Sequence, residues 1–362
     1  MFYTTNRNEM DIYKITLLLV CLVTSYQTKA QHVLTKENSF LRSGDVICKQ
    51  EVEYLEQGSS GRDVVWDFRD IDILKKKYMV EYSSNSLLQL FKYEPTFMEQ
   101  YKFEGDTLFK TKYENPITNV SYNKPIPDMI YPMAYGNIHT VEFEGKGTYC
   151  HRNCLSTSGS ILLEADANGI ILFSEQDTLR NVLRVHTQTI STIGIEKDSV
   201  ITDSTKWIRC TEDTYRWYAR GYRYPLFETY NQVLHDGLRN IRHTRASFRT
   251  PPDILRLLND SINQEFRHIE KSRSNSETKA IPYSIKVTGN KVTINYSLTS
   301  RAIVKALISD SKGIIYRQQT RKDEVGKDYS LSLNLEGLRR GEYILYVNIN
   351  GTVYSNTILH NF

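Results

Sequence analysis

The chain has 362 residues, 24% charged and 40% hydrophobic, ordinary for a globular protein long enough for two domains with separate cores. Its net charge is +4, and setting aside the first thirty residues (Arg7, Lys14 and Lys29 against Glu9 and Asp11) leaves +3. So small a balance carries no footprint for nucleic acid.

Taken in chain order, the first signal is the apolar run Ile15 to Val23, preceded by Lys14 and followed by Thr28-Lys29-Ala30. A basic flank, a short apolar stretch and a small-x-small site describe a secretory signal peptide over 1–30, cleaved between Ala30 and Gln31. The run is too short to span a bilayer, so no transmembrane segment is expected in the mature chain. Val20 before Cys21 does not fit a lipobox. The product is expected to be exported, to the cell surface, the periplasm or the medium.

Residues 31–250 read as a Tyr-rich antiparallel β domain of short strands and turns. Tyr, with 25 copies, suits a half-buried pleated surface where the ring packs and the hydroxyl stays wet. Arg62 to Phe68 alternates, and Tyr101 to Lys110 predicts two strands around Gly105-Asp106. Asn168-Gly169 predicts a hairpin between Ile161–Asp166 and Ile170–Phe173. Val182–Thr189 and Tyr215–Tyr224 are further strands. There is no strand–helix alternation, which disfavours a parallel α/β sheet.

Residues 251–280 predict one amphipathic helix and a linker. Leu255, Leu258, Ile262, Phe266 and Ile269 form a helical stripe after Pro251-Pro252, and 272–279 lacks apolar residues. From 281 to 362, seven short strands separated by turns predict an autonomous immunoglobulin-like β-sandwich. Val292, Ile294 and Tyr296 mark its inward face, and the alternation slips at Tyr346-Val347. The fold class is therefore mainly β: a central antiparallel domain, a linking helix and a C-terminal sandwich.

The stretches Asp310–Tyr316, Leu331–Leu338 and Gly341–Tyr346 resemble the immunoglobulin-like C-terminal domains of secreted Bacteroidetes proteins, including those read by the type IX secretion system. The central region resembles the bodies of some such proteins through Val65–Phe68, Tyr131–Gly136, Gly145–Tyr149 and Asn181–Val185. The resemblance implies export and placement by the C-terminal domain, with export machinery as a partner, and implies no reaction. It also implies O-glycans at Asp-Ser/Thr-apolar triplets, with Thr107, Thr178, Ser199, Ser204 and Ser261 as acceptors.

No nucleophile elbow, P-loop, dinucleotide fingerprint or His-Glu-x-x-His pattern occurs, so neither a catalytic residue nor a cofactor is expected. Cys48, Cys150, Cys154 and Cys210 lie beyond the signal segment. Cys150-His-Arg-Asn-Cys154 lacks the second ligand pair of a zinc site, and a hairpin over His151–Asn153 predicts a Cys150–Cys154 disulfide. The acidic pairs Asp70/Asp72 and Glu142/Glu144 read as the wet side of strands. Arg220, Arg223, Arg239, Arg242, Arg245 and Arg249 could form a basic surface for acidic glycans, or a solvated strand face. Trp217, Tyr218, Tyr222 and Tyr224 are the candidate aromatic platform for a glycan or peptide. Three functions follow: a non-catalytic surface or secreted protein, a carbohydrate- or peptide-binding envelope protein, and an unrecognised hydrolase.

Overall fold

The computed structural model describes residues 32–85, 89–173, 178–196, 207–277 and 283–361. The expected cleavage site at Ala30 and Gln31 lies outside the described residues. Helix α1 (Lys36–Ser39) precedes strands β1 (Val46–Val52), β2 (Gly61–Asp67), β3 (Ile73–Ser84), β4 (Leu90–Glu94) and β5 (Phe97–Glu104). Next come β6 (Thr107–Glu114), β7 (Thr118–Ile130), β8 (Ile138–Tyr149) and β9 (Asn153–Leu172). The run ends with β10 (Thr178–Glu196), β11 (Ile208–Ala219), β12 (Phe227–His235) and β13 (Asn240–Arg249).

These strands pair in the order β10-β11-β12-β13-β1-β3-β4-β5-β6-β7-β8-β9. β9 also pairs with β10, from Thr178↔Leu172 to Glu196↔Cys154, so twelve antiparallel strands close into a barrel. Closure removes the sheet edges that an open antiparallel sheet would expose. β8 covers β9 up to Glu164, and β2 continues on the same side in parallel, from Gly61↔Ala167 to Asp67↔Leu172.

The expected hairpin at Asn168-Gly169 is instead the interior of the long strand β9. Gly169 serves close approach rather than a turn, because a Cβ there would collide with the Val64 backbone carbonyl of β2. The expected single helix is two, α2 (Pro252–Arg256) and α3 (Ser261–Glu277). The break falls at Asp260, whose carboxylate accepts the Asn263 backbone N–H at 3.3 Å and Arg223 Nε at 2.6 Å. α3 runs into the expected linker, where the Ser272 hydroxyl donates to the His268 carbonyl at 2.9 Å and leaves the helix intact.

The last strands are β14 (Tyr283–Thr288), β15 (Lys291–Leu298), β16 (Ala302–Ser309), β17 (Ile315–Asp323), β18 (Gly326–Asn334), β19 (Gly341–Ile349) and β20 (Thr352–His360). They form sheets β14-β15-β18 and β17-β16-β19-β20 around one core, with Val292, Ile294 and Tyr296 facing Val304, Ala306 and Val347. The slip at Tyr346-Val347 is no bulge, since β16 and β19 pair without a shift. Both faces of β19 are covered. Val347 enters the core, while Tyr346 packs on Val65, Ile170 and Leu172 and donates to Asp67 at 3.0 Å. Lys305 Nζ adds bonds to the Arg62 and Asp63 carbonyls at 3.3 and 3.2 Å. The C-terminal sheets are thus seated on β2 and the end of β9, where few contacts were expected.

None of the described helices is long and apolar enough to cross a membrane. Outward positions of the barrel carry charge, such as Lys112, Glu114, Lys124 and Glu144, paired in twos at 2.6 and 2.5 Å. A lipid-facing barrel would hold an apolar band at such positions.

One end of the barrel is stoppered by the N-terminal arm. Leu34 exchanges both backbone bonds with Met133, and His32 is buried with Nδ1 3.2 Å from the Tyr218 carbonyl. Burial lowers the His32 pKa from 6.5 to about 4. Its neutral ring therefore contributes stability fully above pH 6.5, where folded and unfolded chains bind no proton. As the pH falls toward 4 the unfolded chain gains a proton that the folded one refuses, and about 3 kcal/mol is lost. His32→Gln should flatten the pH dependence of urea unfolding between pH 6.5 and 5. An equal slope in both proteins would contradict this.

Candidate functional site in the barrel lumen

Alternation along β11 points Cys210, Glu212, Thr214, Arg216 and Tyr218 one way, and Asp213, Tyr215 and Trp217 the other. Arg216 identifies the inner set: its Nη1 lies 3.3 Å from Asp128 on β7, four strands away around the wall. Only the lumen offers that path. The register carries the inward face on to Glu228 and Tyr230 of β12, opposite Arg216 and Thr214.

A belt of alternating charge lines the middle of the lumen. Lys110 meets Glu99 at 2.9 Å, Glu99 meets Lys92 at 3.2 Å, and Lys92 meets Glu94 at 2.8 Å. Lys49 links Glu94 at 3.7 Å to Glu228 at 2.6 Å, and Arg216 links Glu228 at 3.9 Å to Asp128. Burial would raise the Glu99 carboxyl, but Lys110 and Lys92 outweigh it and hold Glu99 well below the usual range. Burial likewise opposes the charge on Lys92, and Glu99 and Glu94 restore it. All eight groups are committed to one another. The belt fixes the walls of the lumen.

Below the belt lies a second inward layer with different chemistry. Tyr113 stands opposite Glu99 on β5 and Val120 on β7, and Tyr122 stands opposite Gly145 on β8. A Cβ on Gly145 would crowd the Tyr122 ring, so the glycine makes room for it. From the far wall, Tyr230 donates to Glu212 at 2.9 Å and Gln232 donates to the same oxygen at 3.2 Å. Tyr113 and Tyr122 on β6 and β7, and Glu212 and Tyr230 on β11 and β12, all lie on the inward face, on the two walls that the Arg216–Asp128 pair joins across the lumen. Burial raises the pKa of all three phenols, with Glu212 adding to it at Tyr230, so they remain neutral donors. Each of the four is half-buried and open to solvent.

No protein-family model and no curated protein matches this chain. The chamber's chemistry must be read from its own residues.

The expected platform is not a surface. Trp217, Tyr218, Tyr222 and Tyr224 are all buried, Trp217 to 1% exposure. Trp217 makes edge contacts with Trp66, Phe68 and Phe227 at centroid distances of 6.0, 5.8 and 5.4 Å. Arg184, fully buried and paired with Asp166 at 2.6 Å, lies 5.6 Å over its ring. Tyr218 lines the stoppered end, and the Tyr224 hydroxyl donates to Asp45 at 2.9 Å.

The hairpin expected to clip Cys150 to Cys154 has another register. Tyr149 pairs with Asn153 and Thr148 with Cys154, while Cys150 turns out of the ladder with φ 51°. Both thiols are free, as are Cys48 and Cys210. Burial, helped by Glu212, pushes the Cys210 thiol up to about 11. Of the glycan acceptors, Thr107 and Thr178 are half-buried at the starts of β6 and β10. Ser261 is exposed at the start of α3, and Ser199 and Ser204 lie outside the described residues.

The arginines do not form one surface: Arg239, Arg242 and Arg245 are exposed at β13, whereas the others are half-buried or buried. Arg223 is bound to Asp260, Arg245 faces Glu56 at 3.7 Å, and Arg249 lies over Phe173 at 4.6 Å. Asp70 and Asp72 sit in the loop after β2, and Glu144 is an outward partner of Lys124. Among the described residues no three His, Cys, Asp or Glu side chains are grouped to hold a metal. Sequence reasoning missed the chamber because Glu212 and Arg216 read as ordinary wet positions of a strand.

Proposed function

We propose that the protein is exported and binds a small ligand in its lumen, with the C-terminal sheets placing it at the cell envelope. The observation carrying this reading is the convergence of Tyr113, Tyr122, Tyr230, Glu212 and Gln232 from opposite walls. Barrels of more than eight strands are wide enough to hold a ligand, and a few fixed polar groups among aromatic rings are what orients one. The belt stiffens the walls, which lowers the cost of organising the cup. Residues 283–361 support an immunoglobulin-like reading: counted from β14, the sheets run 1-2-5 and 4-3-6-7.

The immobilised full-length protein, exposed to a fractionated small-molecule extract of its source, should retain a compound. Gln232→Trp, which fills the cup, should abolish retention while unfolding at a temperature close to that of the wild type. Retention unaffected by a folded Gln232→Trp variant would move the binding site elsewhere.

A further inference from the structure

The ionisable groups of the belt and the chamber are unequal in number. Five carboxylates (Glu94, Glu99, Asp128, Glu212 and Glu228) stand against four cations (Lys49, Lys92, Lys110 and Arg216). Each of these four cations is held in the belt, within 4.0 Å of a belt carboxylate, while farther along the same inward face Lys76 meets Glu51 at 3.5 Å and Arg242 donates to Thr244 at 3.3 Å. Glu212 is left over. Its partners are the neutral Tyr230 hydroxyl and Gln232 amide, and no described Lys, Arg or His forms an ion pair with it.

We propose that the chamber takes an organic cation, an ammonium-bearing molecule held by Glu212 with the rings of Tyr113, Tyr122 and Tyr230 around it. This rests on the lumen being the binding site and adds the class of ligand. Aromatic faces attract ammonium groups through the ring quadrupole, and the attraction grows as the site is desolvated. A carboxylate among low-dielectric walls strengthens the same preference and repels anions. Tyr230 and Gln232 both donate to one oxygen, Oε2, and none of the described residues donates to Oε1. A divalent metal is the poorer fit, because one carboxylate among phenols and an amide falls short of the six or more hard oxygen ligands such ions collect.

The test uses choline and its uncharged isostere 3,3-dimethyl-1-butanol as probes of the full-length protein. Calorimetry gives the affinities, and the ring signals of Tyr113, Tyr122 and Tyr230 report the place of binding. Choline should bind at least tenfold more tightly than the isostere and shift those ring signals. Glu212→Gln keeps the acceptor for Tyr230 and should weaken choline tenfold or more while leaving the isostere unchanged. Equal binding of the two probes at these rings, indifferent to Glu212→Gln, would overturn the cationic class and leave the lumen site standing. Ring signals moved by neither probe, while the compound retained from extract does move them, would also overturn it. Ring signals moved by no ligand at all would overturn both readings.

Discussion

Replacing Glu99 by alanine should cost about 3–5 kcal/mol of folding free energy, the scale for removing one partner of a buried ion pair. Glu99 has three donors: Lys110 at 2.9 Å, Lys92 at 3.2 Å and the Tyr101 hydroxyl at 2.7 Å. Its loss leaves Lys110 without a carboxylate partner and Lys92 with Glu94 alone. Removing the orphaned charge as well, in a Glu99→Ala/Lys110→Met pair, should recover part of the loss. Urea unfolding measures both. The same physics fixes the acid limit. The folded Glu99 and Glu94 carboxyls lie below their ordinary value of 4.5, so their contribution is complete above pH 4.5 and lost as the pH falls through the lower folded values. A cost under 1 kcal/mol for Glu99→Ala would contradict the belt.

Trp217→Ala should cost a similar 3–5 kcal/mol, the usual range for truncating a large buried aromatic. The indole fills the space between Trp66, Phe68 and Phe227, and it forms one face of the box around Arg184. Arg184 also lies over Trp66 and Tyr215, at 5.6 and 5.1 Å, so the buried guanidinium would lose one of three rings. Were Trp217 a ligand platform instead, truncation would cost binding and spare stability. Loss of stability without loss of choline binding is the result expected here. Wild-type stability in the variant would contradict it.

The C-terminal strands were legible because alternation with a period of two is broken by Gly289, Gly313 and Asn350-Gly351, where φ turns positive at each of the four. Barrel closure was not legible. An antiparallel meander has the same alternation whether or not its ends meet, and the ends of this one meet where β1 pairs with β13, from Gln50↔Arg249 to Val52↔Ser247, far apart in sequence. The platform reading failed for a related reason. Exposed and buried faces alternate only if one face is wet, whereas the lumen covers Tyr218 and the layer around β2 covers Trp217. Asn168-Gly169 carries turn chemistry, yet the extra strand β2 holds it extended. Glu212 was invisible because nothing local distinguishes a carboxylate facing a lumen from one facing solvent.

The central claim is a closed barrel whose opposite walls meet across the lumen, and the Arg216–Asp128 bridge is where it is most exposed to test. A double-mutant cycle on Arg216→Met and Asp128→Asn, followed by urea unfolding, reads their coupling directly. β7 and β11 are not neighbours in the sheet, so coupling through an open sheet would vanish. A coupling energy of about 1–2 kcal/mol is the result expected for a cross-lumen pair. Strict additivity of the two single variants would contradict the closed, charge-belted lumen.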